Sequence, residues 1–161
     1  MKHCLVVLLS GACVAALAAP VPENSLPFTP VCDSAGGLRM RSAPEFFVAR
    51  SLDEWTTSQK LQAEQVPGQE SLFCTRNKPI DFSREMVIGV VLSTAPSGCT
   101  GVSVVRVHVE GKDLIATYRV QTFPSDVMCT AALTTAFDVV TVPKSAMPVK
   151  FELQRGPAHR R

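Results

Sequence analysis

The sequence predicts an α+β domain that is mainly β: an antiparallel sheet or barrel-like sandwich of about six strands with one short helix, about 52–64. Three observations predict it. Glu85-Met86-Val87-Ile88-Gly89-Val90-Val91-Leu92 is a near-continuous apolar run of strand length, the pattern of a strand covered on both faces. Valines alternate with polar residues up to Glu110, and a matching alternation follows the Gly111-Lys112 turn signal. A helix start signal stands at Ser51, followed by a stretch of helical length.

In chain order, Met1-Lys2-His3, the apolar run from Cys4 to Leu9 and the Ala16-Leu17-Ala18 cleavage pattern read as a secretory signal over residues 1–18. A membrane helix needs about 20 apolar residues, and Pro20 and Pro22 follow too soon, so no transmembrane segment is expected in the mature chain. Leu9-Ser10-Gly11-Ala12-Cys13 approaches a bacterial lipobox with one residue too many between leucine and cysteine, which ranks lipid attachment at Cys13 below simple export. Residues 19–43 hold Pro20, Pro22, Pro27, Pro30, Gly36 and Gly37 without sustained periodicity and read as an extended lead-in. One domain is expected over 44–153, and residues 154–161 read as a frayed basic tail.

Within that domain Glu45-Phe46-Phe47-Val48-Ala49-Arg50 is a short strand, since aromatic and β-branched neighbours suit a pleated surface. Ser51-Leu52-Asp53-Glu54 is a capping box, with the serine accepting from the backbone three residues on and the glutamate reaching back. The helix it starts places Leu52, Trp55, Gln59 and Gln62 on one side, with Trp55 as the packing anchor, and Val66-Pro67-Gly68 stops it. Asp81, just before the apolar strand, fits a local turn hydrogen bond. Pairing Glu110 with Asp113 around a type II′ turn sets Val109 opposite Leu114, Val107 opposite Ala116 and Val105 opposite Tyr118. Phe137 to Val142, ended by Pro143, and Val149-Lys150-Phe151-Glu152-Leu153 complete the strands.

Loss of Lys2 with the leader leaves 15 basic against 14 acidic residues, a balance that gives no footprint for nucleic acid. Cys32, Cys74, Cys99 and Cys129 are an even set in an exported chain, as a disulfide framework requires. Three connectivities are open. Cys99 with Cys129 is the choice, because both sit in polar loops flanking the same hairpin, and Cys32 with Cys74 follows by remainder. No metal-spaced His or Cys cluster, phosphate-cradling glycine loop or nucleophile elbow is present, so no catalytic residue, metal or cofactor is assigned. His108 lies between Arg106 and Glu110 on the polar side of its strand, where a solvated histidine is expected.

Arg50-Ser51-Leu52-Asp53-Glu54-Trp55, Pro79 to Val87, Ser97-Gly98-Cys99-Thr100-Gly101, Cys129-Thr130, Val139-Val140-Thr141-Val142-Pro143-Lys144 and Pro148-Val149-Lys150-Phe151 resemble the bacterial PrcB-type domain. The similarity runs from about Glu45 to Leu153, and its most specific part is the IDFSREMVIGVVL segment together with the VPK and PVKF ending. The resemblance implies an exported protein that helps a surface protease mature or stay stable. It brings no catalytic residues. Gly98-Cys99-Thr100-Gly101 departs from the commoner Gly-Gly-Tyr-like sequence of that family, so no loop function is carried over.

The expected function is a non-enzymatic accessory domain that binds a protein partner, an exported protease being one candidate, through loops 93–101 and 121–135. The candidate contact residues are Ser97, Gly98, Thr100, Phe123, Pro124 and Met128. Direct protease inhibition by the same loops is the alternative, and a structural envelope protein without a specific ligand is a further one.

Overall fold

The computed structural model describes residues 24–32, 34–35, 38–63, 74–75, 79–123 and 128–154. The expected signal at 1–18, the lipid alternative at Cys13, the helix stop at 66–68, Pro124 and the tail beyond Gln154 lie outside the described residues. The elements are β1 (Thr29–Pro30), β2 (Ser34–Ala35), β3 (Glu45–Ala49), α1 (Leu52–Gln62), β4 (Cys74–Thr75), β5 (Glu85–Val91), β6 (Thr100–Glu110), β7 (Asp113–Thr122), β8 (Phe137–Pro143) and β9 (Val149–Leu153). Seven of the strands build two sheets, in the orders β1-β8-β5-β3 and β6-β7-β9, and β2 pairs with β4 in a short ribbon. With the single helix, this is the mainly β, α+β sandwich that the sequence predicts.

The apolar run of β5 is buried on both faces because its two sides meet different layers. Met86, Ile88 and Val90 face the second sheet and pack with Val104, Val107, Leu114, Ala116, Val140 and Val142. Val87 faces the other way, into a core that holds Val31, Ala49, Ala63, Cys74 and Val139, with Phe47 and Trp55 packed against it. Each buried Val, Ile, Leu or Met among them contributes about 1.5–3 kcal/mol by leaving water. Phe47 is paired with Gly89 across β3 and β5, and its ring lies over the glycine where a Cβ would otherwise stand.

The β6–β7 hairpin keeps the predicted register at its turn, with Glu110 opposite Asp113, Val109 opposite Leu114 and Val107 opposite Ala116. Gly111 has φ 60° and no other described residue has a positive φ, which is the type II′ arrangement. Farther out the register changes. A β-bulge inserts Val105, so Tyr118 lies opposite Val104 rather than Val105. The bulge turns Val104 and Val102 toward the core. It also frees the Val104 N–H, which donates to Asp138 Oδ2 of β8 at 2.7 Å and so links the two sheets. Burial pushes the Asp138 carboxyl above its ordinary range, against the N–H groups of Val104 and Val139 that favour its charged form.

β9 joins β7 in parallel. Because the intervening β8 belongs to the other sheet, the chain reaches β9 by a crossover instead of a hairpin, and a crossover permits the parallel direction.

Ser51 caps α1 as predicted, its Oγ accepting from the Glu54 N–H at 3.2 Å. Glu54 reaches one residue beyond the reciprocal partner and accepts from the Arg50 N–H at 2.5 Å. The helix ends at Gln62, because Ala63 turns to extended backbone and bridges Leu38. Its packed side is polar: Ser58, Gln59 and Gln62 are buried, Trp55 lies 6.3 Å from Phe47, and Leu52 is exposed, contrary to the sequence reading. Gln59 tolerates burial by bonding both backbone groups of Cys74, donating to its carbonyl at 2.8 Å and accepting from its N–H at 3.2 Å. Cys74 is also joined to Cys32, across a Cα separation of 5.2 Å.

Part of the segment read as a lead-in is woven into both sheets. Leu26 N–H donates to the Val107 carbonyl at 2.7 Å, and Thr29–Pro30 pairs with β8. Ser25 bridges His108, whose side chain is only 13 % exposed, so the solvated strand histidine expected from the alternation is not what forms.

Candidate binding surface

The two loops singled out from the sequence leave the same end of the sandwich. The Gly111–Lys112 turn lies at the far end of the hairpin, whereas Thr100 and Thr122 pair at the near end, where the connections to β5 and β8 begin. Rich in small uncharged residues, these connections pair with one another as an irregular antiparallel arm. Leu92 N–H donates to the Ala136 carbonyl at 2.8 Å, and Ala95 and Thr134 exchange both backbone bonds at 2.8 and 2.9 Å. Gly98 N–H then donates to the Thr130 carbonyl at 2.9 Å, and Phe123 N–H donates to the Cys99 carbonyl at 2.9 Å. Cys99 and Cys129 close the tip with the expected disulfide, at a Cα separation of 5.3 Å.

Gly98 sits close against Thr130 in this closure. A Cβ there would lie 2.9 Å from Thr130 Oγ1. The root of the arm is fixed by Arg41, a buried residue absent from the sequence reading. Its backbone N–H donates to Thr94 Oγ1 and its carbonyl accepts from the Thr94 N–H, both at 2.9 Å. Its guanidinium pairs with Glu45 and donates to the Leu61 carbonyl at 3.2 Å, so the arm, β3 and the end of α1 share one anchor. Thr94 and Thr135 hydroxyls meet at 2.7 Å beneath it.

The candidate contact residues are brought together on this arm, apart from Pro124, which lies outside the described residues. Ser97, Gly98 and Thr100 are half-buried in its brace, while Phe123 is 44 % and Met128 98 % exposed. Sequence reasoning missed two more exposed apolar groups, Leu133 and Met40, each 64 % exposed. With Leu38 and Phe137 they line a cleft of about 270 Å³ floored by Thr94, Thr134 and Thr135. The sequence signal that marks Leu133 is charge, not periodicity, since no charged residue occurs from Leu92 to Val105 or from Met128 to Phe137, whereas Met40 stands between Arg39 and Arg41.

A larger cleft of about 520 Å³ lies at the other end of the first sheet, between Pro27, Pro79 and Pro143, with Asp81, Arg84 and Glu85 at its mouth. Asp81 is engaged in its own turn, as the sequence suggests: its Oδ1 accepts from the Ser83 hydroxyl at 2.5 Å and the Ser83 N–H at 3.0 Å. Those two bonds hold its carboxyl below the ordinary carboxylate range. Among the described residues no group of three or more His, Cys, Asp or Glu side chains is placed to hold a metal ion, and no helix is long and apolar enough to cross a membrane. No family model matches the chain, and neither a curated protein nor a solved structure matches it.

Proposed function

We propose that this protein is an exported accessory domain that binds another protein through the disulfide-closed arm and performs no reaction itself. One observation carries the reading. Phe123, Met128 and Leu133 are held in water on an arm whose loops carry one charged residue, Asp126, and which is fixed by a disulfide, a backbone ladder and a buried arginine. Exposed large apolar groups cost solubility, and the centres of protein interfaces are depleted in charge and enriched in Phe and Met. Prior fixation of the arm lowers the ordering cost that association must overcome. The two disulfides fit an oxidising compartment, and the likeness to PrcB-type domains supports an exported protease as the partner class.

The test is affinity capture from the exported fraction with the wild-type chain, a Phe123→Ser/Leu133→Asp variant and a Lys112→Glu control at the opposite end. A partner recovered by wild type and control but lost with the arm variant is expected. Equal recovery by all three refutes the reading. Where the partner is a protease, its activity with and without this chain separates stabilisation from inhibition.

A further inference from the structure

The methionines divide by environment. Met86 is fully buried in the core between the sheets and Met147 packs against that core, whereas Met40 is exposed and Met128 is almost wholly in water beside the Cys99–Cys129 bridge. All four described cysteines are in disulfides, so among the described residues thioethers, not thiols, are the sulfur atoms an oxidant meets. A thioether is apolar and polarisable. Its sulfoxide is polar and chiral, and a reductase can return it to methionine.

We propose that Met128 is a reversible oxidation site that switches the arm's surface from apolar to polar, with a peroxide as oxidant. The sulfur attacks one peroxide oxygen, an S–O bond forms as the O–O bond breaks, and the other oxygen leaves as hydroxide, which becomes water by taking the proton from the transferred oxygen and so leaves the sulfoxide. Sulfur is oxidised and the peroxide reduced. Cys129 offers no thiol to divert the reaction, and the backbone bonds at Gly98, Cys99 and Thr130 do not involve the Met128 side chain, so the arm keeps its shape while its most exposed apolar group is lost. Loops 93–101 and 121–135 hold a single charged residue, Asp126, so this is a large proportional change in polarity. The consequence for partner binding rests on the proposed function; the site itself does not.

The experiment treats the purified disulfide-bonded protein with hydrogen peroxide, maps oxygen addition by peptide mass, and follows retention on a phenyl matrix as the apolar probe. Met128 is expected to oxidise at least about tenfold faster than Met86. Oxidised Met40→Leu is expected to elute earlier than its untreated form, oxidised Met40→Leu/Met128→Leu to keep its retention, and a methionine sulfoxide reductase to restore the oxidised Met40→Leu protein. Oxidation of Met128 no faster than Met86 overturns the proposal, as does complete oxidation of Met128 with unchanged retention. Loss of partner capture by the arm variant is read separately and decides the proposed function, whichever way the peroxide experiment falls.

Discussion

Replacing Gly89 by alanine tests the packing at the centre of the first sheet. The added Cβ would stand closer than 3.0 Å to three carbons of the Phe47 ring, so the ring must swing away from β5 and from its place beside Trp55. Overpacking of a filled site costs about 1–3 kcal/mol. Alanine in a strand interior recovers roughly 0.5–1 kcal/mol over glycine, leaving a net loss of about 1–2 kcal/mol. In a Phe47→Ala background the obstruction is gone, and the same substitution should be neutral or stabilise by roughly 0.5 kcal/mol. The two changes are therefore coupled by about 1.5–2.5 kcal/mol, within the range seen for residues in contact. Urea unfolding with disulfides intact measures this. The fluorescence of the single tryptophan, Trp55, is a suitable signal because it sits next to Phe47. An equal effect of Gly89→Ala in both backgrounds would refute the packing described for β5.

Three further outcomes follow from the same structure. Because burial raises the folded-state pKa of Asp138, its contribution to stability is full below the ordinary value of 3.8 and is lost as pH rises through the raised pKa; Asp138→Asn should remove that part of the pH-stability curve, read as the wild-type minus variant difference. Converting Cys99 and Cys129 to serine opens a bridge spanning 30 positions, which the chain-entropy model values at about 3.7 kcal/mol, and hydrogen exchange should rise at Gly98 and Phe123, whose N–H groups depend on the closed tip. Ser51→Ala removes the cap of α1 and should cost about 1 kcal/mol in denaturant titration, while Ser51→Gly costs only a few tenths.

The parts of the fold legible in the sequence are those fixed by local pattern. The two-sided burial of β5, the hairpin register near Gly111, the Ser51 cap and both disulfide pairings follow from run length, turn chemistry and loop position. What escaped depends on distant partners. The Val105 bulge exists because Val104 turns into the core and its N–H finds Asp138, 34 positions away, and no short-range pattern encodes that. The side of α1 read from the sequence packs through Trp55, Gln59 and Gln62, one of the glutamines clasping Cys74, and only Leu52, in the first turn, falls outside the packed face. For the candidate surface, position in a loop that holds a cysteine pointed to Phe123 and Met128. Met40, between two arginines, carries no such marker, and it meets Leu133 only when the arm pairs and Arg41 draws residues 38–41 against it.

Docking of another protein on the disulfide-closed arm, and not on the hairpin turn at the opposite end, requires the two ends to differ in what they trap. Site-specific photo-crosslinking addresses it directly, with a photoreactive side chain placed at Leu133 in one preparation and at Lys112 in another. A single discrete crosslinked partner is expected from position 133 and none from position 112. The same adducts from both positions, or a partner trapped from position 112 alone, would contradict it.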